Sequence, residues 1–132
     1  MTTYFADSYF WFALTNSADV CHTKAKNYSA ASPRLVTTAW VITELADGFC
    51  KAATRASFLR IHDAMVHDLF LTILPADQAL MERGLVLYAS RPDKDWSLTD
   101  CISFVVMKEH SLTEALTGDH HFEQAGFVAL LK

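Results

Sequence analysis

With 132 residues, of which 52% are hydrophobic and 20% charged, the chain has the material for a single domain over residues 1–132 with its own core, and its composition excludes general disorder. A formal net charge of −4 argues against broad electrostatic capture of nucleic acid, although a phosphate bridged by metal ions stays compatible with it. Apolar runs are only a few residues long and residues 1–7 lack the marks of a signal peptide, so the expectation is a cytoplasmic protein with no membrane partner.

Taken in order, residues 2–6 read as a first strand, rich in β-formers and aromatics, ended by Asp7-Ser8. The very apolar Tyr9-Phe10-Trp11-Phe12-Ala13-Leu14 starts a helix, and residues 19–31 read as a second, more polar one, stopped by Ser32-Pro33. Residues 35–39 form a branched, short strand, followed by helical periodicity over 40–53 and again over 54–67. A third strand at 69–74 is closed by Pro75, and residues 76–90 make a helix broken by Arg91-Pro92. A helix over 97–110, a fourth strand at 114–117, a helical turn at 119–125 and a last strand at 127–131 complete the order. Strands alternating with helices, each strand nearly continuous in apolar residues, predict an α/β fold with a mainly parallel sheet covered by helices on both faces.

Four acids stand where such a sheet binds ligands, beyond the carboxyl ends of its strands. Asp7 follows strand one, Asp119 follows strand four, Glu44 lies in the helix after strand two, and Asp100 opens the helix over 97–110. Each has an ordinary explanation. Asp7 and Asp119 could cap helices, Asp100 has capping-box spacing from Ser97, and Glu44 could pair with Lys51 or the helix dipole. Together those explanations weaken, because two carboxylates about 4 Å apart repel by roughly 4 kcal/mol at an effective dielectric near 20. A divalent cation relieves that repulsion directly, and an oxygen-only set suits Mg²⁺ or Mn²⁺.

In these features the chain resembles the PIN-domain ribonucleases, and most closely the VapC-type toxins of toxin–antitoxin pairs. The resemblance is carried by Asp7-Ser8, Thr43-Glu44-Leu45, Ser97-Leu98-Thr99-Asp100 and Thr117-Gly118-Asp119, in that order along essentially the whole chain. It implies a PIN-like three-layer sandwich, an acidic pocket for Mg²⁺ or Mn²⁺, and endonucleolytic cleavage of RNA. Asp7, Glu44 and Asp100 match the family's core acids and Asp119 its more variable fourth, while Ser8, Ser97 and Thr117 match the hydroxyls that support them. A homodimer and an antitoxin peptide lying in a groove near the acids are the implied protein partners. Asp95 stands close enough to Asp100 in sequence that its membership of the site is an open point.

Other features are read more plainly. Cys21, Cys50 and Cys101 are widely spaced and odd in number, and all three are expected to be buried small residues rather than a disulfide framework. His120 and His121 beside Asp119 suggest a metal cluster, but adjacent side chains on a helix are expected to diverge. Arg91, Lys94 and Trp96 could contact a nucleic-acid backbone, and part of the 9–14 run could stay exposed as an interface. Two alternatives compete with the nuclease: a receiver-like Mg²⁺-binding signalling domain, for which Asp77 is the nearest phosphoacceptor candidate, and a non-catalytic interaction module.

Overall fold

The computed structural model describes residues 2–132. Strand β1 (Thr3–Ala6) leads into α1 (Ser8–Thr15) and α2 (His22–Ala30), and β2 (Arg34–Thr38) into α3 (Ala39–Asp47) and α4 (Arg55–His67). Then β3 (Leu71–Leu74) is followed by α5 (Gln78–Ser90) and α6 (Leu98–Glu109), β4 (Glu114–Leu116) by α7 (His120–Gln124), and β5 (Val128–Ala129) ends the order. The strands form one sheet in the order β3-β2-β1-β4-β5, and every pairing is parallel. Parallel neighbours need crossover connections, which the helices supply, and the result is the expected three-layer α/β sandwich.

The chain works outward from β1 to β3, then returns to the other side of β1 with β4 and β5. The reversal falls between β1 and β4. Such a switch point opens a crevice beyond the strand ends, because the connections leave the two strands in opposite directions.

Burial follows the apolar patterning. Phe5, Val41, Leu45, Ile102, Met107, Leu116 and Phe122 are inaccessible to solvent. Helix α6 is the most interior of the helices, with Cys101, Ile102, Phe104, Val106 and Met107 all buried. Phe104 meets Trp96 and Phe122 edge-on, each at a centroid distance of 5.0 Å, and each buried ring of this kind contributes about 1.5–3 kcal/mol. Helix α5 approaches α6 closely because Gly84 lacks a side chain, and a Cβ there would lie 2.4 Å from Ile102 Cγ1.

Where elements end early, a local competitor is visible. Helix α3 stops at Asp47 rather than near residue 53, because the chain turns at Gly48 to stack Phe49 on Phe12 at 5.7 Å. Helix α2 starts at His22 because Asp19 Oδ1 first accepts from Cys21 N at 2.8 Å, an Asx turn. The same device at Asp68, whose Oδ1 accepts from Phe70 N at 2.8 Å, delays β3 to Leu71 and leaves Leu69 96% exposed.

Three expectations need correction. Only Cys101 is buried; Cys50 lies exposed in the turn after the shortened α3, and Cys21 is half-buried with its thiol donating to Leu131 O at 3.1 Å. Helix α1 is core more than surface, with Phe10, Trp11 and Ala13 buried, and the exposed large apolar side chains lie instead on α4 (Leu59, Val66), after it (Leu69, Phe70) and on α5 (Leu85, Val86, Tyr88), with Val20 and Val128 apart from these. Trp96 is buried too, its Nε1 donating to Gln124 Oε1 at 3.0 Å, so it is no nucleic-acid contact. Among the described residues no helix is long and apolar enough to cross a membrane.

Candidate active site at the carboxyl edge of the sheet

Asp7 is the first residue past β1 and stands at the N-cap position of α1, yet its side chain makes no capping bond to that helix. The ordinary explanation for an Asp at this position is therefore not the one the side chain follows. Its carboxylate is buried and accepts instead from the Thr117 hydroxyl at 2.9 Å, across the seam between β1 and β4. Burial pushes its carboxyl up to about 7, with Glu44 and Asp100 adding like-charge repulsion and the Thr117 bond opposing.

Glu44 flanks the buried seam of α3 formed by Val41 and Leu45, one helical turn apart, which turns it toward α1. Its partner is the Ser8 hydroxyl, which donates to Oε1, rather than Lys51. Burial again raises its carboxyl, and Asp100, Asp119 and Asp47 push in the same direction against the Ser8 bond.

Asp100 does occupy a capping box: Ser97 Oγ accepts from Asp100 N at 3.0 Å, and Asp100 Oδ2 accepts from Ser97 N at 3.2 Å. That arrangement fixes the carboxylate at the entrance of α6 without consuming its second oxygen. Burial raises its carboxyl, Ser97 N–H lowers it, Asp119 raises it and His121 lowers it.

Asp119 caps α7, its Oδ1 accepting from His121 N at 2.9 Å, and its own N–H donates to Thr117 Oγ1 at 3.1 Å. One threonine hydroxyl thus links the ends of β1 and β4. Gly118 between them lies under the Tyr9 ring, where a Cβ would come within 2.5 Å of Tyr9 Cζ. The expected divergence of His120 and His121 is not observed: their rings lie 4.4 Å apart, and His121 Nδ1 approaches Asp119 Oδ1 at 3.3 Å and Asp100 Oδ2 at 3.4 Å. In the first turn both rings fold back over the cap instead of radiating from the helix body. The Asp-His-His run was the signal for this, and helical-wheel reasoning hid it.

Asp7 stands in the field of Glu44 and Asp100, Glu44 in that of Asp100 and Asp119, and Asp100 in that of Asp119, and among the described residues no lysine or arginine forms an ion pair with any of these acids. Such a set suits a hard divalent cation, which would return Asp7 to its ionised form. Asp95 stays outside: it is exposed on the loop before α6. Arg91 is engaged by Asp93 in a two-pronged pair, 3.0 Å on each arm, which holds the Asp93 carboxyl down at about 2.

A doubly flanked parallel sheet with two buried acids, Asp7 and Asp100, and two half-buried ones, Glu44 and Asp119, at its carboxyl edge defines a class, and the sequence profile of the PIN domain matches residues 4–128. The chain belongs to the PIN-domain family. It is 30% identical over 131 residues to the 23S rRNA-specific endonuclease VapC20 of Mycobacterium tuberculosis, in strains CDC 1551/Oshkosh and H37Rv, across 94% of this chain and 95% of that one. The crystal structure of M. tuberculosis VapC20, described as a sarcin–ricin-loop-cleaving toxin, superposes with a TM-score of 0.86 at 24% identity, over 96% of this chain and 97% of that one. FitAcB from Neisseria gonorrhoeae superposes with a TM-score of 0.65 at 16% identity, over 97% and 95%. Both superpositions speak to the fold.

Proposed function

We propose that the chain is a metal-dependent endoribonuclease and the toxic half of a toxin–antitoxin pair, acting in the cytoplasm as one PIN domain over residues 1–132. In this reading Asp7, Glu44, Asp100 and Asp119 hold Mg²⁺ or Mn²⁺, and the hydroxyls of Ser8, Ser97 and Thr117 orient them. The observation that carries it is Asp7: a buried carboxyl raised to about 7, with Glu44 and Asp100 as its charged neighbours and no basic side chain paired to it among the described residues. In the folded protein alone that arrangement is destabilising by on the order of a few kcal/mol near neutral pH, a sizeable share of a domain's roughly 5–15 kcal/mol stability, and a cation turns it to use.

The bound cation would supply Lewis-acid charge for water attack on a phosphodiester and for the departing oxygen. The chain's own contribution is positional. Thr117 and Ser8 each hold one carboxylate oxygen in place, and the capping box pins Asp100 to a rigid helix end. The curated relative is named for action on 23S rRNA, so a structured ribosomal RNA fragment is the first substrate to try. Incubating the chain with such fragments and Mg²⁺ or Mn²⁺ should give discrete cuts that chelator prevents.

Protein partners belong to the same reading: a homodimer, and an antitoxin segment presented to a groove near the acids. The exposed apolar side chains on α4 and α5 support an interface of some kind. Sedimentation at micromolar concentration tests the dimer, and a stable monomer contradicts it. The receiver-like alternative is disfavoured by Asp77, whose Oδ1 accepts from Leu80 N at 2.7 Å as the cap of α5.

A further inference from the structure

We propose that Asp119, His120 and His121 form a second cation site at the rim of the carboxylate pocket, selective for a borderline transition metal such as Zn²⁺, Co²⁺ or Ni²⁺. One ligand atom from each, an imidazole nitrogen of each histidine and a carboxylate oxygen, lies within 4.8 Å of the others. The closer separations are 3.3 Å from Asp119 Oδ1 to His121 Nδ1 and 3.6 Å from the same oxygen to His120 Nδ1. A tetrahedral ion with bonds of about 2.0–2.1 Å has ligand-to-ligand edges of about 3.3–3.4 Å, so the atoms already stand near coordinating separation.

A second observation points the same way. His121 Nδ1 is buried and has no hydrogen-bond partner, although it faces Asp119 Oδ1 and, at 3.4 Å, Asp100 Oδ2. A buried polar atom without a partner is destabilising, and a bond to a metal removes that penalty. Its backbone N–H already satisfies Asp119 Oδ1, fixing the carboxylate that would share the ion. His120 is exposed, which gives an ion a way in and leaves that ring free to turn toward the others.

The chemistry of the set decides the ion. Two imidazoles and one carboxylate favour zinc and its neighbours over Mg²⁺, which prefers an all-oxygen octahedron. The acids proposed to hold Mg²⁺ or Mn²⁺ supply oxygen only, so the two sites differ in kind while meeting at Asp119.

The test is calorimetric titration of Zn²⁺ into the untagged full chain in saturating Mg²⁺, without RNA, so that its outcome is independent of any nuclease activity. One equivalent should bind despite the Mg²⁺. Its affinity should fall about tenfold or more in His120→Ala, roughly 1.4 kcal/mol or more, and likewise in His121→Ala. It should persist in His67→Ala, which removes the ring paired with Asp63 at 3.5 Å. His120 is exposed, so His120→Ala keeps the fold and its result stands even if His121→Ala melts early. No zinc uptake, equal uptake by His120→Ala, or loss only in Asp7→Asn would each overturn the proposal, the last by placing zinc among the carboxylates.

Discussion

The hydroxyl of Thr117 donates to Asp7 Oδ2 at 2.9 Å and accepts from Asp119 N at 3.1 Å, so one atom ties the end of β1 to the cap of α7. Thr117→Val keeps the shape and removes both bonds at a buried position. We expect a loss of about 1–3 kcal/mol in unfolding stability and weaker Mg²⁺-induced stabilisation. The Asp7 carboxyl should rise further, because the lost bond was holding it down. Thr117→Ser should restore most of both. Urea unfolding with and without Mg²⁺ measures this, and a wild-type response from Thr117→Val would contradict the coupling.

Asp7 also sets a pH dependence of unusual sign. Its folded carboxyl is raised from 3.8 to about 7, so between those values the native state binds more protons than the unfolded chain. Metal-free stability should therefore be highest below about pH 4 as far as this group is concerned, and fall as pH rises toward 7, by on the order of a few kcal/mol. Glu44 and Asp100, also raised, add in the same direction. Asp7→Asn should flatten most of this slope, and saturating Mg²⁺ should flatten it in the wild type. Denaturant melts across that range decide it; an unchanged slope in Asp7→Asn sinks the assignment.

Gly118 is required by Tyr9. Gly118→Ala places a methyl 2.5 Å from Tyr9 Cζ, so either the ring or the Thr117–Asp119 turn must move. Overpacking of this kind costs about 1–3 kcal/mol, and RNA cleavage should fall with it as Asp119 shifts. Combining it with Tyr9→Leu should recover stability beyond additivity, since the two sites share one contact. Additive losses in a double-mutant cycle would show that the clash is not the cause.

The fold was legible because its signals were local and mutually consistent: Pro33 and Pro75 bound strands, Ser97 opens α6, and the apolar runs of β1, β2 and α6 mark what is buried. What escaped reading depended on contacts distant in sequence. Nothing near Glu44 says that it will meet Ser8, and nothing near Phe49 says that stacking on Phe12 will end α3. Capping was legible for Asp100 and Asp119, where the structure bears it out, but misleading for Asp7, whose long-range bond to Thr117 outweighs a local one. His121 was lost to an idealised helix geometry that the first turn of α7 does not follow.

The most direct test of the nuclease reading is cleavage of ribosomal RNA fragments by wild type, Asp7→Asn, Asp100→Asn and the double variant, with Mg²⁺, with Mn²⁺ and with chelator, alongside melting of each protein. Asp100→Asn keeps an oxygen for the Ser97 N–H bond, so the cap of α6 survives and the fold should hold. Each single variant should lose cleavage by orders of magnitude, with the double variant little worse than either, because the acids act as one unit. Chelator should abolish wild-type cleavage, and metal should raise the melting temperature of the wild type more than that of either variant. Full cleavage by Asp100→Asn, or cleavage that persists undiminished in chelator, would contradict the account.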